Sequence, residues 1–193
     1  MIIGITGGIS SGKSFFSNYL KEKGFFVICA DEISKKITEK NKSGYFEIIK
    51  NFDNILDANQ NIDRKKLGNI IFSDFSKRKL LNEILHPIIK EEIKEQINIG
   101  KKTYTNVFVD VPLLYEASFD DLCDYVVIVY CDKETQIERL IIRDSITREE
   151  ALKKINSQMD LNEKVKLGNY VINNSFSKEK TLIEFEKFLK EVA

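Results

Sequence analysis

Short apolar runs alternate along this chain with stretches in which apolar side chains recur every three or four residues. Continuous apolar runs are typical of buried strands, and the longer spacing is typical of helices with one apolar face. The runs predict five strands, at residues 1–6, 25–29, 105–111, 125–131 and 171–172. Because helical patterns separate these strands, we expect an α/β fold with a mostly parallel sheet covered by helices.

A long interval without a strand pattern separates the second predicted strand from the third, and it exceeds the length of one crossover helix. Pro87 would occupy the first position of the last helix in this interval, where its missing N–H costs little. We therefore expect a helical subdomain inserted into an α/β core. The apolar spacing predicts its helices at residues 31–39, 44–52, 64–72, 77–85 and 87–99.

A second helical stretch, residues 135–166, follows the fourth predicted strand. Within it, Thr147 and Glu150 stand three residues apart, which is the spacing of a capping box. This pair predicts that a helix begins just after Thr147.

The composition argues against two kinds of partner, nucleic acid and membrane. The 193 residues suit one compact domain with a smaller insertion. The 30 basic and 30 acidic side chains give a net charge of +0, so we expect no nucleic-acid partner. No apolar run approaches the ~18 residues needed to span a bilayer, and no secretory leader is visible, so we expect no membrane segment.

Three cysteines, Cys29, Cys123 and Cys131, form no C-x-x-C pair and cannot pair completely. They are best interpreted as reduced thiols of a cytoplasmic protein. The sequence leaves the oligomeric state open between a monomer and a small homo-oligomer.

The residues from Gly7 to Ser14 read GGISSGKS and fit the pattern G-x-x-x-x-G-K-[ST]. The pattern stands between a predicted strand and a predicted helix, which is the context in which it binds phosphate. Its glycines let backbone N–H groups point at an anion, and the helix adds the partial positive charge of its N-terminus. Lys13 supplies a cation for the β- and γ-phosphates, and Ser14 supplies a hydroxyl for Mg²⁺. The motif predicts a bound nucleoside triphosphate with Mg²⁺ and leaves the reaction open.

Three classes of protein use such a loop, and the sequence favours one of them. A regulatory GTPase usually carries D-x-x-G and N-K-x-D motifs; the first is absent here, and residues 41–44, NKSG, lack the final acid of the second. A motor or nucleic-acid ATPase fits poorly with a short, neutral chain. A small-molecule kinase needs an acceptor site and a lid, and the two helical stretches are placed to provide them.

Two aspartates lie at or just after the ends of predicted strands and are candidates for the chemistry. The carboxyl ends of parallel strands form one edge of a sheet, where ligands bind. Asp31 follows the second strand, where a carboxylate can accept the proton of an attacking hydroxyl; it equally suits capping of the next helix. Asp110 ends the third strand, where an acid commonly supports Mg²⁺, directly or through water; the alternative is a turn residue.

The ordered set of motifs resembles the dephospho-coenzyme A kinase family. The segments GITGGISSGKS, ADEI, LHPII, DVPLLYEA, ETQIERLIIRD and VINNS occur in that family's order and at its spacing, over residues 2–187. The resemblance implies a P-loop three-layer α/β fold with a parallel five-stranded sheet, a helical substrate-binding insertion and a helical lid. It divides one kinase domain into a core (about 1–30, 103–134 and 167–193), a coenzyme-A-binding insertion (about 31–102) and a lid (about 135–166).

The activity that this resemblance implies is ATP-dependent phosphorylation of the ribose 3′-hydroxyl of dephospho-CoA, the final step of coenzyme A biosynthesis. ATP would be the co-substrate, and Mg²⁺ the metal. Two other functions remain open as hypotheses: a P-loop kinase for another nucleotide or nucleoside-like acceptor, and a nucleotide sensor without transfer activity.

Roles for individual residues follow from the same resemblance. Asp31 matches the family's proposed base, and Arg139 and Arg143 match lid arginines that would stabilise charge on the transferring phosphoryl group, with exposed helix charges as the alternative. His86, Arg64 and Arg78 are candidate acceptor contacts, with a turn histidine and exposed helix charges as alternatives. Ser14 and Asp110 are the candidate metal-site residues. The candidate nucleotide-binding residues are Gly7, Gly8, Ser10, Ser11, Gly12, Lys13, Ser14, Phe15 and, from the family's region near the adenine, Asn174.

The chain departs from the family's usual pattern at three positions. Ser10 replaces a glycine, and it would be strained by about 1–2 kcal/mol if the loop requires a positive φ there. Phe15 replaces a threonine just after the magnesium position, and we expect it to pack on the core side of its helix. Ser145 stands in a lid turn that often contains glycine, and we expect a stiffer turn.

Overall fold

The computed structural model describes residues 1–192, which form an α/β fold with a five-stranded sheet. Strand β1 lies at the centre, and the spatial order is β2-β3-β1-β4-β5. The pairs β1–β3, β1–β4 and β4–β5 run parallel, as the alternating pattern predicts. The strands are β1 (Ile2–Gly7), β2 (Phe26–Cys29), β3 (Val107–Asp110), β4 (Tyr125–Tyr130) and β5 (Tyr170–Asn173).

Nine α-helices connect and cover the strands within the described residues. Two lie on either side of β2 in the chain: α1 (Lys13–Glu22) and α2 (Ala30–Ile37). Three more precede β3, three lie between β4 and β5, and one follows β5. They are α3 (Ser43–Asn51), α4 (Arg64–Ser73), α5 (Phe75–Gly100), α6 (Lys133–Asp144), α7 (Arg148–Ile155), α8 (Leu161–Leu167) and α9 (Lys178–Val192).

The main core lies between the sheet and helices α1 and α9. Its strand side chains are fully or nearly fully buried, and Phe16 and Phe185 meet at a ring-centroid distance of 4.5 Å. Burial of one such aromatic side chain stabilises the fold by about 1.5–3 kcal/mol. Phe15 is half-buried against the same cluster, 5.2 Å from the Phe185 ring, as expected from its position. This packing fixes α1, and with it the loop that precedes α1.

The chain forms two compact units. One contains Met1–Ile28 and the chain from Ile97 onward, and the other contains Cys29–Gln96. The second unit is helical, as the sequence predicts for the inserted segment, and includes α2, α3, α4 and most of α5.

The structure corrects the prediction of two helices on either side of Pro87. Helix α5 runs without interruption from Phe75 to Gly100, and Pro87 lies inside it. Proline has no N–H to donate to the carbonyl four residues earlier, so Pro87 removes one hydrogen bond from the interior of the helix. Apolar side chains at Leu85, Ile89 and Ile93 stay buried across the proline, and this packing keeps the two halves continuous.

Helices α6 and α7 pack through a small apolar cluster of Ile137, Leu140 and Ala151. The capping box at the start of α7 is confirmed, because the Thr147 side chain accepts from Glu150 N–H while the Glu150 carboxylate accepts from Thr147 N–H. Ser145 ends α6 with a φ of 53°, a left-handed conformation in which glycine is usual.

No helix within residues 1–192 combines the length and the apolar composition needed to cross a membrane.

Candidate active site

The phosphate loop, residues 7–12, runs from the last residue of β1 to the residue before α1. Glycine is required at two of its positions. Gly12 has a φ of 94°, and a Cβ atom there would lie 1.9 Å from the Asn174 amide nitrogen. A Cβ atom on Gly7 would lie 2.5 Å from the Val129 carbonyl oxygen. The motif glycines therefore let the loop approach its neighbours more closely than any side chain would allow.

Ser10 adopts a φ of 59°. This is the positive φ at which we expected a serine in place of glycine to be strained. A left-handed conformation costs a residue with a Cβ atom about 1–2 kcal/mol relative to glycine. The chain keeps the loop shape despite this cost, because contacts on both sides of Ser10 fix the backbone.

Two side chains lie behind the loop, on the side that the carbonyl groups of Ile9 and Ser11 face, and donate hydrogen bonds to these groups. Gln136 Nε2 donates to Ile9 O at 2.8 Å, and Asn174 Nδ2 donates to Ser11 O at 2.7 Å. In a planar trans peptide the C=O and the following N–H point in opposite directions. These two bonds therefore turn the N–H groups of Ser10 and Gly12 toward the opposite side of the loop, where an anion would bind.

Asn174, a predicted nucleotide-binding residue, lies behind the phosphate loop and is only 6% exposed. Its amide nitrogen holds Ser11 O, and its amide oxygen accepts from Thr181 Oγ1 at 2.8 Å. These bonds make its side chain a support for the loop, a role that the sequence does not indicate.

Lys13 and Asp110 are brought together as the sequence predicts for groups at one edge of a parallel sheet. The Lys13 ammonium donates to Asp110 Oδ1, and Ser17 Oγ donates to Asp110 Oδ2 at 2.5 Å. Asp110 is 3% exposed, so its charge is neutralised by the lysine rather than by water. Ser17 was not among the predicted residues, although it lies one helical turn after Lys13.

The residues present fit a magnesium ion bound to a triphosphate. Ser14 is exposed in the first turn of α1, and the Asp110 carboxylate lies beside Lys13. Magnesium typically takes one or two protein oxygens and completes its shell with waters and phosphate oxygens. Residues 1–192 contain no cluster of three acidic, histidine or cysteine side chains suited to a metal.

The two predicted lid arginines occupy different environments. Arg139 is half-buried and donates to the Asn174 carbonyl oxygen at 2.9 Å, next to the support of the phosphate loop. Arg143 is exposed and pairs with Asp144, whose carboxylate also accepts from Lys154 at 2.7 Å. Hydrogen bonds from Arg143 and then Lys154 hold the pKa of Asp144 far below its usual value. Only Arg139 is placed beside the loop in this structure.

Asp31 is the second residue of α2 and is exposed. The residue before the first turn of this helix is Cys29, so Asp31 does not occupy the N-cap position that we considered as an alternative. The carboxylate is therefore available to a ligand at the start of the helix that directly follows β2.

The helical unit contains a cavity of about 300 Å³ lined by α2, α3, α4 and α5. Its walls are mostly apolar and include Ile48, Leu67 and Leu81. Arg64 is exposed at this cavity and donates to Thr38 Oγ1 at 3.3 Å. The predicted acceptor contact Arg64 thus lies at a cavity with apolar walls and a cationic edge.

The other two predicted acceptor contacts lie on α5, outside the residues that line this cavity. Arg78 places its guanidinium 5.2 Å from the Phe75 ring centroid. His86 is half-buried, and burial lowers the pKa of its imidazole, so the ring is neutral down to a lower pH than an exposed histidine.

Two further side chains of the region α6 to α8 contact the phosphate loop and were missed by sequence reasoning. Gln158 Oε1 accepts from Ile9 N at 3.1 Å, and the Lys164 ammonium reaches Gly7 O at 3.5 Å. Neither residue stands in a recognisable motif, and a lysine is expected on the surface. With Gln136, they fix the first half of the loop from behind.

Comparisons with known proteins find similar proteins over all or nearly all of the chain. The family model described as CoaE, dephospho-CoA kinase, matches residues 1–180. A curated dephospho-CoA kinase from Fusobacterium nucleatum subsp. nucleatum is 47% identical over 196 residues, covering 100% of this chain and 98% of the relative. Two solved structures are also similar. A dephospho-CoA kinase from Campylobacter jejuni is 33% identical with a TM-score of 0.75 (99% and 96% covered). A protein from Thermus thermophilus is 28% identical with a TM-score of 0.84 (100% and 98% covered).

Proposed function

The chain belongs to the dephospho-CoA kinase family, and we propose that it transfers the γ-phosphoryl group of ATP to the ribose 3′-hydroxyl of dephospho-CoA. The observation that carries this proposal is the family match over residues 1–180, and the phosphate loop supplies the chemistry that the reaction requires.

ATP would bind with its phosphates against the loop and the N-terminus of α1. Backbone N–H groups on the inner side of the loop and the partial charge of the helix would neutralise the phosphate oxygens. Lys13 would move from Asp110 to the β- and γ-phosphates, a short shift for a flexible side chain.

Magnesium would be held by Ser14 and supported by the Asp110 carboxylate once Lys13 has turned to the phosphates. When bound, the ion would supply positive charge that stabilises the phosphate oxygens. The Ser17 hydroxyl keeps Asp110 in place throughout, because it donates to the oxygen that Lys13 does not use.

Asp31 would act as the base for the acceptor hydroxyl. The ribose 3′-oxygen attacks the γ-phosphorus, its proton passes to the Asp31 carboxylate, and the bond from the γ-phosphorus to the bridging oxygen breaks to release ADP. The exposed position of Asp31 at the start of α2 supports this role, since the carboxylate is accessible to a substrate.

The helical insertion would bind the rest of dephospho-CoA. Its cavity has apolar walls for the uncharged arm of the acceptor, and Arg64 at this cavity suits the acceptor's phosphates. Arg78 and His86 are further candidates for contacts with the acceptor.

The lid, about residues 135–166, would close over the phosphates and exclude water, which otherwise competes as an acceptor. Arg139 is already beside the loop support and would stabilise charge on the transferring group. Arg143 would join it only after leaving Asp144, so we assign it the smaller effect.

We further propose that the protein acts in the cytoplasm as a monomer or a small homo-oligomer, with no nucleic-acid partner. Cys29, Cys123 and Cys131 form no disulfide bond, and this observation and the balanced charge support the proposal.

The proposed function is tested by incubating the protein with ATP, Mg²⁺ and a panel of acceptors, and analysing the products by mass spectrometry. The panel contains dephospho-CoA, adenosine, AMP and shikimate, and a Lys13→Ala variant serves as the inactive control. We expect coenzyme A from dephospho-CoA alone. Product from another acceptor only, or ATP binding without any product, would contradict the proposal.

A further inference from the structure

Lys164 carries a charge in the interior of the protein and has no role in the mechanism above. It lies on α8, and its side chain is 0% exposed. Burial of a lysine is costly unless its ammonium group is paired and hydrogen-bonded. The residue faces the core together with Leu161, on the side of α8 where an apolar side chain is expected.

Three acceptors surround the ammonium group, one for each of its protons. Glu116 Oε1 lies at 2.9 Å, the Pro112 carbonyl oxygen at 3.1 Å, and the Gly7 carbonyl oxygen at 3.5 Å. The Pro112 carbonyl also accepts from Thr6 Oγ1 at 3.0 Å. The ammonium therefore joins α8 to the last residue of β1 and to the segment that follows Asp110.

The contact with Gly7 acts on the phosphate loop through one peptide group. Because the peptide is planar, a Gly7 carbonyl held by Lys164 turns the Gly8 N–H to the opposite side. Gln136 and Asn174 hold the carbonyls of Ile9 and Ser11 in the same way. Every second carbonyl from Gly7 to Ser11 is thus held from behind, and Lys164 provides the first of these three contacts.

We propose that Lys164 is a positioning residue for ATP: it orients the entry of the phosphate loop and aligns it with the segment after Asp110. This rests on the proposed function only in that the loop binds a nucleotide. Glu116 completes the set of contacts around Lys164, since its carboxylate neutralises the ammonium group. The same carboxylate also accepts from Met159 N at 3.1 Å, just before α8.

The test replaces Lys164 with methionine, which has a similar length and no charge. Misplacement of a reactive group by about 1 Å can cost about 10²-fold, so we expect Lys164→Met to lower kcat/KM for ATP about 10- to 100-fold. The KM for dephospho-CoA should stay unchanged. ADP affinity, measured by calorimetry without any acceptor, should fall in parallel, and this readout holds even if the acceptor is wrongly assigned.

The matched control is Lys166→Met on the same helix, where the lysine is exposed and pairs with Glu163. This variant should retain wild-type kinetics. If Lys164→Met does not fold, the double variant Lys164→Met with Glu116→Gln carries the same test, because it leaves no unpaired carboxylate and keeps an acceptor for Met159 N–H.

A folded variant at Lys164 with wild-type ADP affinity and wild-type kcat/KM for ATP would overturn the proposal. A loss of activity that only follows the fraction of unfolded protein, with wild-type ADP affinity in the folded fraction, would also overturn it, because that pattern indicates a purely structural lysine.

Discussion

At the scale of single residues, the phosphate loop is shaped as much by the side chains behind it as by its own sequence. Gly7 and Gly12 allow the close approach, but Gln136, Asn174 and Lys164 hold the carbonyl groups. Such supports are distant in the chain, and an amide or a lysine has no spacing that marks it as a partner of the loop. The sequence therefore did not indicate Gln136 or Lys164, and it predicted Asn174 as a nucleotide contact rather than as a support of the loop.

Ser10 offers a direct test of the loop's backbone conformation. At a φ of 59°, glycine is favoured over any residue with a Cβ atom. We expect the free energy of unfolding of Ser10→Gly to be about 1 kcal/mol higher than that of Ser10→Ala. Urea denaturation of the two variants provides the measurement. A Ser10→Ala protein as stable as Ser10→Gly, or more stable, would show that the loop does not hold this conformation.

Asp31 is tested by removing its basicity while keeping its shape. Asp31→Asn should lower kcat about 10²- to 10⁴-fold, because the amide cannot accept the hydroxyl proton. ADP affinity should remain at the wild-type value, since Asp31 acts on the acceptor. Glu32→Gln, in the same exposed first turn of α2, is the matched control and should retain its activity. Near-normal kcat in Asp31→Asn would remove this residue as the base.

At the scale of secondary-structure elements, the sequence predicted correctly an interaction between two residues that are close together in the chain. The capping box of α7 was predicted correctly, because Thr147 and Glu150 satisfy each other within one turn. Pro87 shows the opposite case. Its local preference favours a helix start, but buried side chains on both sides of it keep α5 continuous. Packing between distant elements overrode the local preference, and the sequence carries no direct sign of that packing.

The capping box also yields a prediction for helix α7. Thr147→Ala removes the side-chain acceptor for the Glu150 N–H, which costs about 1 kcal/mol. We expect amide exchange in α7 to accelerate about fivefold, which corresponds to that free energy. Thr103→Ala, in an exposed turn distant in sequence from α7, should leave exchange in α7 unchanged. Unchanged exchange in Thr147→Ala would show that the capping box does not limit opening of this helix.

At the scale of the whole molecule, the order of the strands explains why the chemistry collects at one edge. Strand β1 lies between β3 and β4, so the loop that leaves β1 is flanked by Asp110 at the end of β3 and by the residues that follow β4. The apolar runs predicted the strands and their alternation with helices. They did not predict this order, because a fully buried strand has no pattern that identifies its neighbours.

The position of the phosphate in the product tests whether the phosphoryl group goes to the ribose 3′-hydroxyl. The product formed from ATP and dephospho-CoA is examined by phosphorus–proton correlation NMR. We expect a new phosphorus resonance that correlates with the ribose H3′ and appears in equal amount with ADP. A correlation with H2′, or inorganic phosphate in place of a ribose phosphate, would rule out transfer to the 3′-hydroxyl.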